Sequence, residues 1–181
     1  MAYTILYIAS SEGGFIADKK GGLDWLPQEA PEGEDFGFEK FLDSIDVIAQ
    51  GSRTFLQTIS FIEQGIVPDL PYGGKHMYVF TREPMQTNRT DVTFVSSIDQ
   101  YLNMINQDLK IKRVWLLGGA EVIKSFKDRD LIDKCIITVI PVVLHEGISL
   151  PKNLFEGMKL VSSKNCFNGI IEKRYIRINN L

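Results

Sequence analysis

The chain has 181 residues, 44% of them hydrophobic and 24% charged, which predicts a single domain over residues 1–181 with a full core and excludes a disordered chain. A formal charge of −3, with Lys and Arg scattered rather than clustered, leaves no basic surface for a nucleic-acid backbone. The longest apolar runs, 114–117 and 136–144, fall far short of the ~20 residues that a membrane span needs.

The first strand is predicted over residues 4–9, a β-branched and aromatic run. Neither a basic segment nor a small-residue cleavage site of the signal-peptide kind accompanies it, which predicts a cytoplasmic location. Ser10-Ser11-Glu12-Gly13-Gly14 is turn chemistry, and Phe15-Ile16-Ala17 resumes briefly before residues 18–22 break again. Residues 27–34 hold two prolines, a glycine and three glutamates and read as an exposed loop. Phe38, Phe41, Leu42 and Ile45 have the spacing of one buried helical face, and Val47-Ile48-Ala49 is a short strand ending at Gly51.

Strand and helix alternate from there. Residues 77–80 are strand-like, and Ser97 with Gln100 forms a capping box ahead of Ile98, Tyr101, Leu102 and Ile105. Val114-Trp115-Leu116-Leu117 reads as a buried strand that runs into Gly118-Gly119, with Val122, Ile123 and Phe126 on one face of a following helix. Residues 136–143 are predicted as another strand, with Pro141 marking an edge or bulge. Two final strands, 159–166 and 170–178, flank Phe167-Asn168-Gly169, a hairpin signal. The architecture predicted is a three-layer α/β sandwich: a central mixed, mainly parallel sheet with a C-terminal antiparallel hairpin.

Cys135 and Cys166 form no C-x-x-C pair and read as buried free thiols. The two histidines, His76 and His145, have no ligand spacing, so no metal site is predicted. Gly118-Gly119 lies between a buried strand and a helix, where free N–H groups and the positive end of the helix dipole suit a phosphate. Asp35 has two readings: an acid turned inward on the face of Phe38 and Leu42, or an N-cap for the helix that starts beside it. Arg53 and Arg82 each follow a strand end, where a guanidinium could reach an added phosphate. Trp25 is read as covering a site or as core.

These segments together resemble the dihydrofolate-reductase-like superfamily, in the bacterial branch similar to the C-terminal reductase domain of riboflavin biosynthesis. The resemblance runs through Tyr7-Ile8-Ala9-Ser10-Ser11-Glu12-Gly13-Gly14-Phe15-Ile16-Ala17, Leu23-Asp24-Trp25-Leu26, Asp35-Phe36-Gly37-Phe38, Gly51-Ser52-Arg53-Thr54-Phe55, Tyr78-Val79-Phe80-Thr81-Arg82, residues 114–121, and Leu131-Ile132-Asp133 with Ile140-Pro141-Val142-Val143-Leu144. It covers essentially the whole chain.

The resemblance implies an NADPH-dependent oxidoreductase that passes a hydride to a C=N or C=O bond of a small pterin-, folate- or pyrimidine-like heterocycle. For the cofactor it implies Gly118 and Gly119 against the pyrophosphate with Ala120 and Glu121 opening the helix behind. It places Ala9, Ser10 and Ile16 about the nicotinamide. Gly51, Ser52, Arg53 and Thr54 fall near the phosphates, and Thr81 and Arg82 near the adenosine ribose and its 2′-phosphate. Ser52 stands where dihydrofolate reductase itself usually has a basic residue, leaving Arg53 or Arg82 for the 2′-phosphate. Asp35 precedes Gly51 by the interval of that enzyme's substrate-binding acid, and Thr138 falls where its partner threonine does, which implies a catalytic pair. A riboflavin-type aminopyrimidine reductase and a cofactor-binding module without turnover remain alternatives, and a homodimer stays open. The zinc motif of a fused deaminase is absent from the sequence.

Overall fold

The β-branched and aromatic residues that open the chain form β1 (Tyr3–Ser11), and Phe15-Ile16-Ala17 forms the short β2 (Phe15–Ala17). There follow α1 (Phe38–Asp43), β3 (Val47–Gly51), α2 (Ser52–Glu63), β4 (His76–Phe80), β5 (Val92–Val95), α3 (Ile98–Gln107), β6 (Arg113–Gly118) and α4 (Ala120–Lys127). The chain then runs through β7 (Lys134–Ile140), β8 (Ile148–Ser149), β9 (Met158–Asn165) and β10 (Ile171–Arg177). The structure, a computed structural model, describes residues 1–27, 35, 37–69, 72–83 and 85–178. The loop expected over 27–34 lies, beyond Pro27, outside the described residues.

Eight of these strands form one sheet in the order β5-β4-β3-β6-β1-β7-β10-β9. It is parallel from β5 to β7 and antiparallel where β10 joins β7 and β9 joins β10. Helices lie on both faces, so the inner strands are apolar on both sides and read as continuous runs. Leu6, Ala49, Leu116 and Ile137 point to one face, packed by Tyr101 of α3 and Ile123 and Phe126 of α4. Ile5, Ile48, Val79, Trp115 and Ile136 point to the other, packed by Phe55 of α2 and by Phe38 and Phe41 of α1. Trp115 anchors that second face, with Phe38 and Phe41 edge-on at ring-centroid distances of 5.5 Å and its Nε1 donating to the Tyr7 carbonyl at 3.1 Å.

The C-terminal hairpin has the backbone that its sequence demands. Asn168 (φ 51°, ψ 39°) and Gly169 (φ 76°) are both left-handed, and the Cys166 N–H donates to the Ile170 carbonyl at 2.7 Å. Ser97 caps α3 as expected, accepting from the Gln100 N–H at 3.2 Å, but Gln100 reaches back to the Ser96 N–H rather than to Ser97. The strand expected over 136–143 starts earlier and stops at Ile140, because Pro141 has no N–H to continue the ladder. Cys135 is buried, its thiol pushed up to about 12 by desolvation, whereas Cys166 is only half-buried. No helix is long and apolar enough to cross a membrane among the described residues.

Candidate functional site

The sheet has a switch point between β3 and β6. The connection leaving β3 runs through α2 on one face to β4, while that leaving β6 runs through α4 on the other face toward β7. Such divergence opens a crevice at the carboxyl ends of the two strands, where ligands of open α/β sheets bind. The N-termini of α2 and α4 both point into it.

Three glycines shape this crevice. Gly118 ends β6 with φ 143°, a conformation that side chains rarely adopt, and a Cβ there would lie 3.4 Å from Ile8 Cδ1. A Cβ on Gly119 would lie 3.4 Å from Thr54 Oγ1, and one on Gly51 would lie 3.3 Å from Val122 Cγ2. The Gly119 N–H donates to Thr54 Oγ1 at 3.2 Å, tying the corner before α4 to the first turn of α2. The Ala120 and Glu121 N–H groups fall in the first turn of α4 and have no intrahelical acceptor. Their donors and the dipole of α4 are what an anionic group requires.

The remaining cofactor candidates gather along the same edge. Ser52 and Arg53 open α2. Thr81 and Arg82 leave β4, the Thr81 hydroxyl donating to the Glu83 carbonyl at 2.8 Å. The exposed Arg82 guanidinium lies 3.8 Å from Glu121, so the two span the outer mouth of the crevice. Ala9 and Ser10 end β1, with Ser10 buried, and Ile16 packs from β2 onto the core beneath α4. Every cofactor-binding candidate thus lies at the carboxyl ends of β1, β3, β4 and β6 or on the elements that directly follow.

A polar row continues from Ala9 across the sheet. Ala9 is in register with Thr138 on β7, which is in register with Glu172 on β10. The next row down is Tyr7, Ile136 and Arg174, on the same face. Thr138 is half-buried and lies one row above Tyr7 on the same face. Burial, and then the Glu172 charge, push the Tyr7 phenol above its ordinary range, so it keeps its proton at neutral pH. Glu172 accepts from Arg174 Nε at 2.6 Å and is the one charged residue buried among the described residues. Neither Tyr7 nor Glu172 stands out in the sequence, where each is one member of a strand.

Asp35 does not turn inward. It is exposed, and its carboxylate accepts from the Gly37 N–H at 2.8 Å and from the Glu39 N–H at 2.9 Å. The helical spacing to Phe38 and Leu42 fails because α1 begins only at Phe38 with Gly37 as its N-cap, which leaves Asp35 two residues ahead of the cap, bracing the turn that enters the helix. The Glu39 and then the Gly37 backbone bonds hold its carboxyl below the usual range. A depressed folded-state pKa stabilises the protein above the unfolded value, and this contribution is lost as pH falls through the folded one. Asp35→Asn, which keeps one acceptor oxygen but loses the charge and the second acceptor, is therefore expected to lower the urea midpoint modestly at neutral pH. The variant should also lack this acid-side loss, and a collapse at neutral pH would show that the charge does more than brace that turn.

The loop before α1 is pinned by Asp18, which accepts from the Lys20 and Gly22 N–H groups at 2.7 and 2.8 Å, and by Gln57 Nε2 donating to the Gly21 carbonyl at 3.0 Å. In it Trp25 is half-buried, with no acceptor for Nε1 among the described residues. A separate concavity, lined by Tyr3, Tyr101, Leu102, Asp130 and Arg177, opens at the opposite end of β1, away from the glycines. It offers neither helix N-termini nor glycine corners.

Comparison with known proteins matches residues 2–171 to the family model of the RibD C-terminal domain. The uncharacterized protein YwjB of Bacillus subtilis (strain 168) is 34% identical over 175 residues, covering 96% of this chain and 97% of its own. A second uncharacterized protein of that strain, YyaP, is 28% identical over 179 residues, covering 94% and 93%. Among solved structures, a Shewanella sp. PV-4 protein named for riboflavin biosynthesis superposes with a TM-score of 0.82 at 27% identity, covering 98% of this chain and 99% of its own. The diaminohydroxyphosphoribosylaminopyrimidine deaminase/5-amino-6-(5-phosphoribosylamino)uracil reductase of Thermotoga maritima gives a TM-score of 0.69 at 14% identity, over 97% of this chain and 56% of its own. At that identity the likeness concerns the fold.

Proposed function

Because the chain belongs to the RibD C-terminal domain family and has the dihydrofolate-reductase-like fold, we propose that it is an NADPH-dependent reductase of a small pyrimidine-, pterin- or folate-like heterocycle. The observation that carries this reading is the crevice at the β3/β6 switch point, where two helix N-termini meet over glycines that keep the backbone bare. Held by the glycine corners and helix N-termini there, NADPH would supply a hydride for the carbon of a C=N or C=O bond, the heteroatom's proton coming from solvent.

The residues divide the work of holding and orienting. The Ala120 and Glu121 N–H groups suit the pyrophosphate. Because Thr54 Oγ1 accepts from Gly119, its own hydroxyl proton remains to be donated to a phosphate oxygen. Ala9, short and half-buried beside Thr138, leaves room for a flat ring over the end of β1. The Tyr7 and Thr138 hydroxyls, on neighbouring rows of one face, can fix a substrate's polar edge next to it. Asp35, exposed and charged, is not assigned the proton.

The test is to titrate NADPH into the protein, following tryptophan fluorescence, and then to measure NADPH oxidation with dihydropterins, dihydrofolate and ribosylated aminopyrimidines. Tight binding with no oxidation by any acceptor would favour a binding module, and absence of binding would remove the reading. Arg82→Ala is expected to weaken NADPH by roughly tenfold or more and NADH hardly at all, as a charge-assisted bond to the 2′-phosphate is worth ~1.5–3 kcal/mol. Equal losses for both dinucleotides would pass the role to Arg53.

A further inference from the structure

Glu172 is 6% exposed, and burying a carboxylate is costly unless strong partners compensate. Its ion-pair partner does so poorly. Arg174 approaches one oxygen through Nε alone and is itself 43% exposed in its side chain, so water already solvates the guanidinium. A half-exposed arginine does not require a buried acid two residues away. Among the described residues no donor reaches the second Glu172 oxygen, and that carboxylate shares a row with Thr138 and Ala9. On the row below lies Tyr7, backed edge-on by Phe41 at 4.8 Å.

We infer that Glu172 is the substrate-binding acid of this cleft, its carboxylate accepting N–H groups from an amidine-like edge of the heterocycle, a ring nitrogen with an adjacent amino group. Two parallel N–H donors match the two oxygens of a carboxylate, and a buried site strengthens such charge-assisted bonds. Tyr7 and Thr138 hydroxyls beside it can serve the neighbouring polar atom of the ring, and the Phe38 and Phe41 rings of α1 wall the same face. Arg174 is a positioning residue, orienting the carboxylate from its solvent side. The inference deepens the reductase reading by naming the edge the substrate presents, and it moves the acid from α1 to β10.

The experiment uses 2,4-diaminopyrimidine as probe, at a pH where its ring nitrogen carries the proton that makes the second N–H donor, and 2,4-dimethoxypyrimidine, similar in shape but without amino donors, as control, with binding read by calorimetry with and without NADP⁺. Wild type is expected to prefer the diamino probe by about tenfold or more. Glu172→Gln should abolish that preference, leaving the control and NADP⁺ affinities unchanged, and Arg174→Met, which removes the group that orients the carboxylate, should reduce it without abolishing it. A wild type without preference, or a folded Glu172→Gln that retains it, overturns the assignment. So does a variant in which both pyrimidines weaken alike along with the urea midpoint, the signature of a purely structural ion pair. Should Glu172→Gln not fold, Glu172→Asp keeps the charge beside Arg174 but withdraws the oxygens by one carbon. It is expected to fold and to lose the preference, and full retention again overturns the inference. A preference that depends on Glu172 in a protein that ignores NADP⁺ would sustain the inference while removing the reductase reading. NADP⁺ binding without the preference would do the reverse.

Discussion

Gly119→Val is expected to lower NADPH affinity by roughly 100-fold or more while leaving the protein folded, the loss of two charge-assisted contacts at ~1.5–3 kcal/mol each. The Cβ itself meets only an ordinary contact, 3.4 Å from Thr54 Oγ1. The two γ-methyls meet more, because one must displace the Thr54 hydroxyl and the other must enter the space before the Ala120 and Glu121 N–H groups. Gly119→Ala, which adds only the Cβ, should lose much less. The measurement is a fluorescence titration with NADPH, read through Trp115 and Trp25, with a urea midpoint as folding control. Wild-type affinity in a folded Gly119→Val protein would show that the pyrophosphate does not approach α4. Substitution of Gly118 would be harder to interpret, because its φ of 143° would strain the backbone whatever the ligand did.

That corner is the part of the site most legible in the amino-acid sequence. A β-branched and apolar run, two glycines and an apolar helical period are local signals, and together they specify strand, corner and helix without knowledge of any neighbour. The hairpin at Asn168-Gly169 is legible for the same reason, since both residues tolerate the left-handed backbone its turn needs. Residues 52–63 are different. They form α2, where Phe55, Ile59 and Ile62 do keep a helical spacing, but only Phe55 is fully buried and Leu56 stands exposed beside it, a thin apolar stripe among Ser, Arg, Thr and Gln. β5 is equally faint in the sequence, being four residues at the sheet edge with one of them buried.

Asp35 and Glu172 mark a deeper boundary. For Asp35, inward direction depends on where α1 starts, and a start at Phe38 turns a buried acid into an exposed brace of the turn before it. Helix ends are set by capping competition within one turn, which periodicity does not resolve. For Glu172, direction depends on register with β7, a strand more than thirty residues earlier in the chain. A slip of one residue in that pairing would put Glu172 on the opposite face and Lys173 beside Thr138. No local pattern in Ile171-Glu172-Lys173-Arg174 states which of the two charges is buried. Only sheet pairing does, and so the buried acid becomes visible in the fold.

Phe126→Ala is expected to cost about 3–5 kcal/mol of stability, because it leaves a cavity inside a fixed aromatic cluster. Phe126 is fully buried, with its ring 5.4 Å from Tyr101 and 5.7 Å from Phe80, centroid to centroid. Those partners sit on α3 and β4, so the ring joins α4 to two other elements and little can collapse into the space it vacates. Burial pushes the Tyr101 phenol upward, as expected for a group deep in that cluster. Phe126 lies in the last turn of α4, however, while Val122 and Ile123 seat the turn that follows the glycine corner. NADPH binding should therefore survive, and saturation at about 100 times Kd should raise the stability of variant and wild type by the same ~2.7 kcal/mol. Urea unfolding with and without NADPH checks both halves. A loss under about 1 kcal/mol, far below the usual cost of emptying a core aromatic site, would mean that the cluster is not the core of that face, whatever the cofactor does. A full loss with no NADPH increment in the variant would mean that the whole of α4 shifts as one body, and that its N-terminus owes its position to the aromatic cluster rather than to Val122 and Ile123.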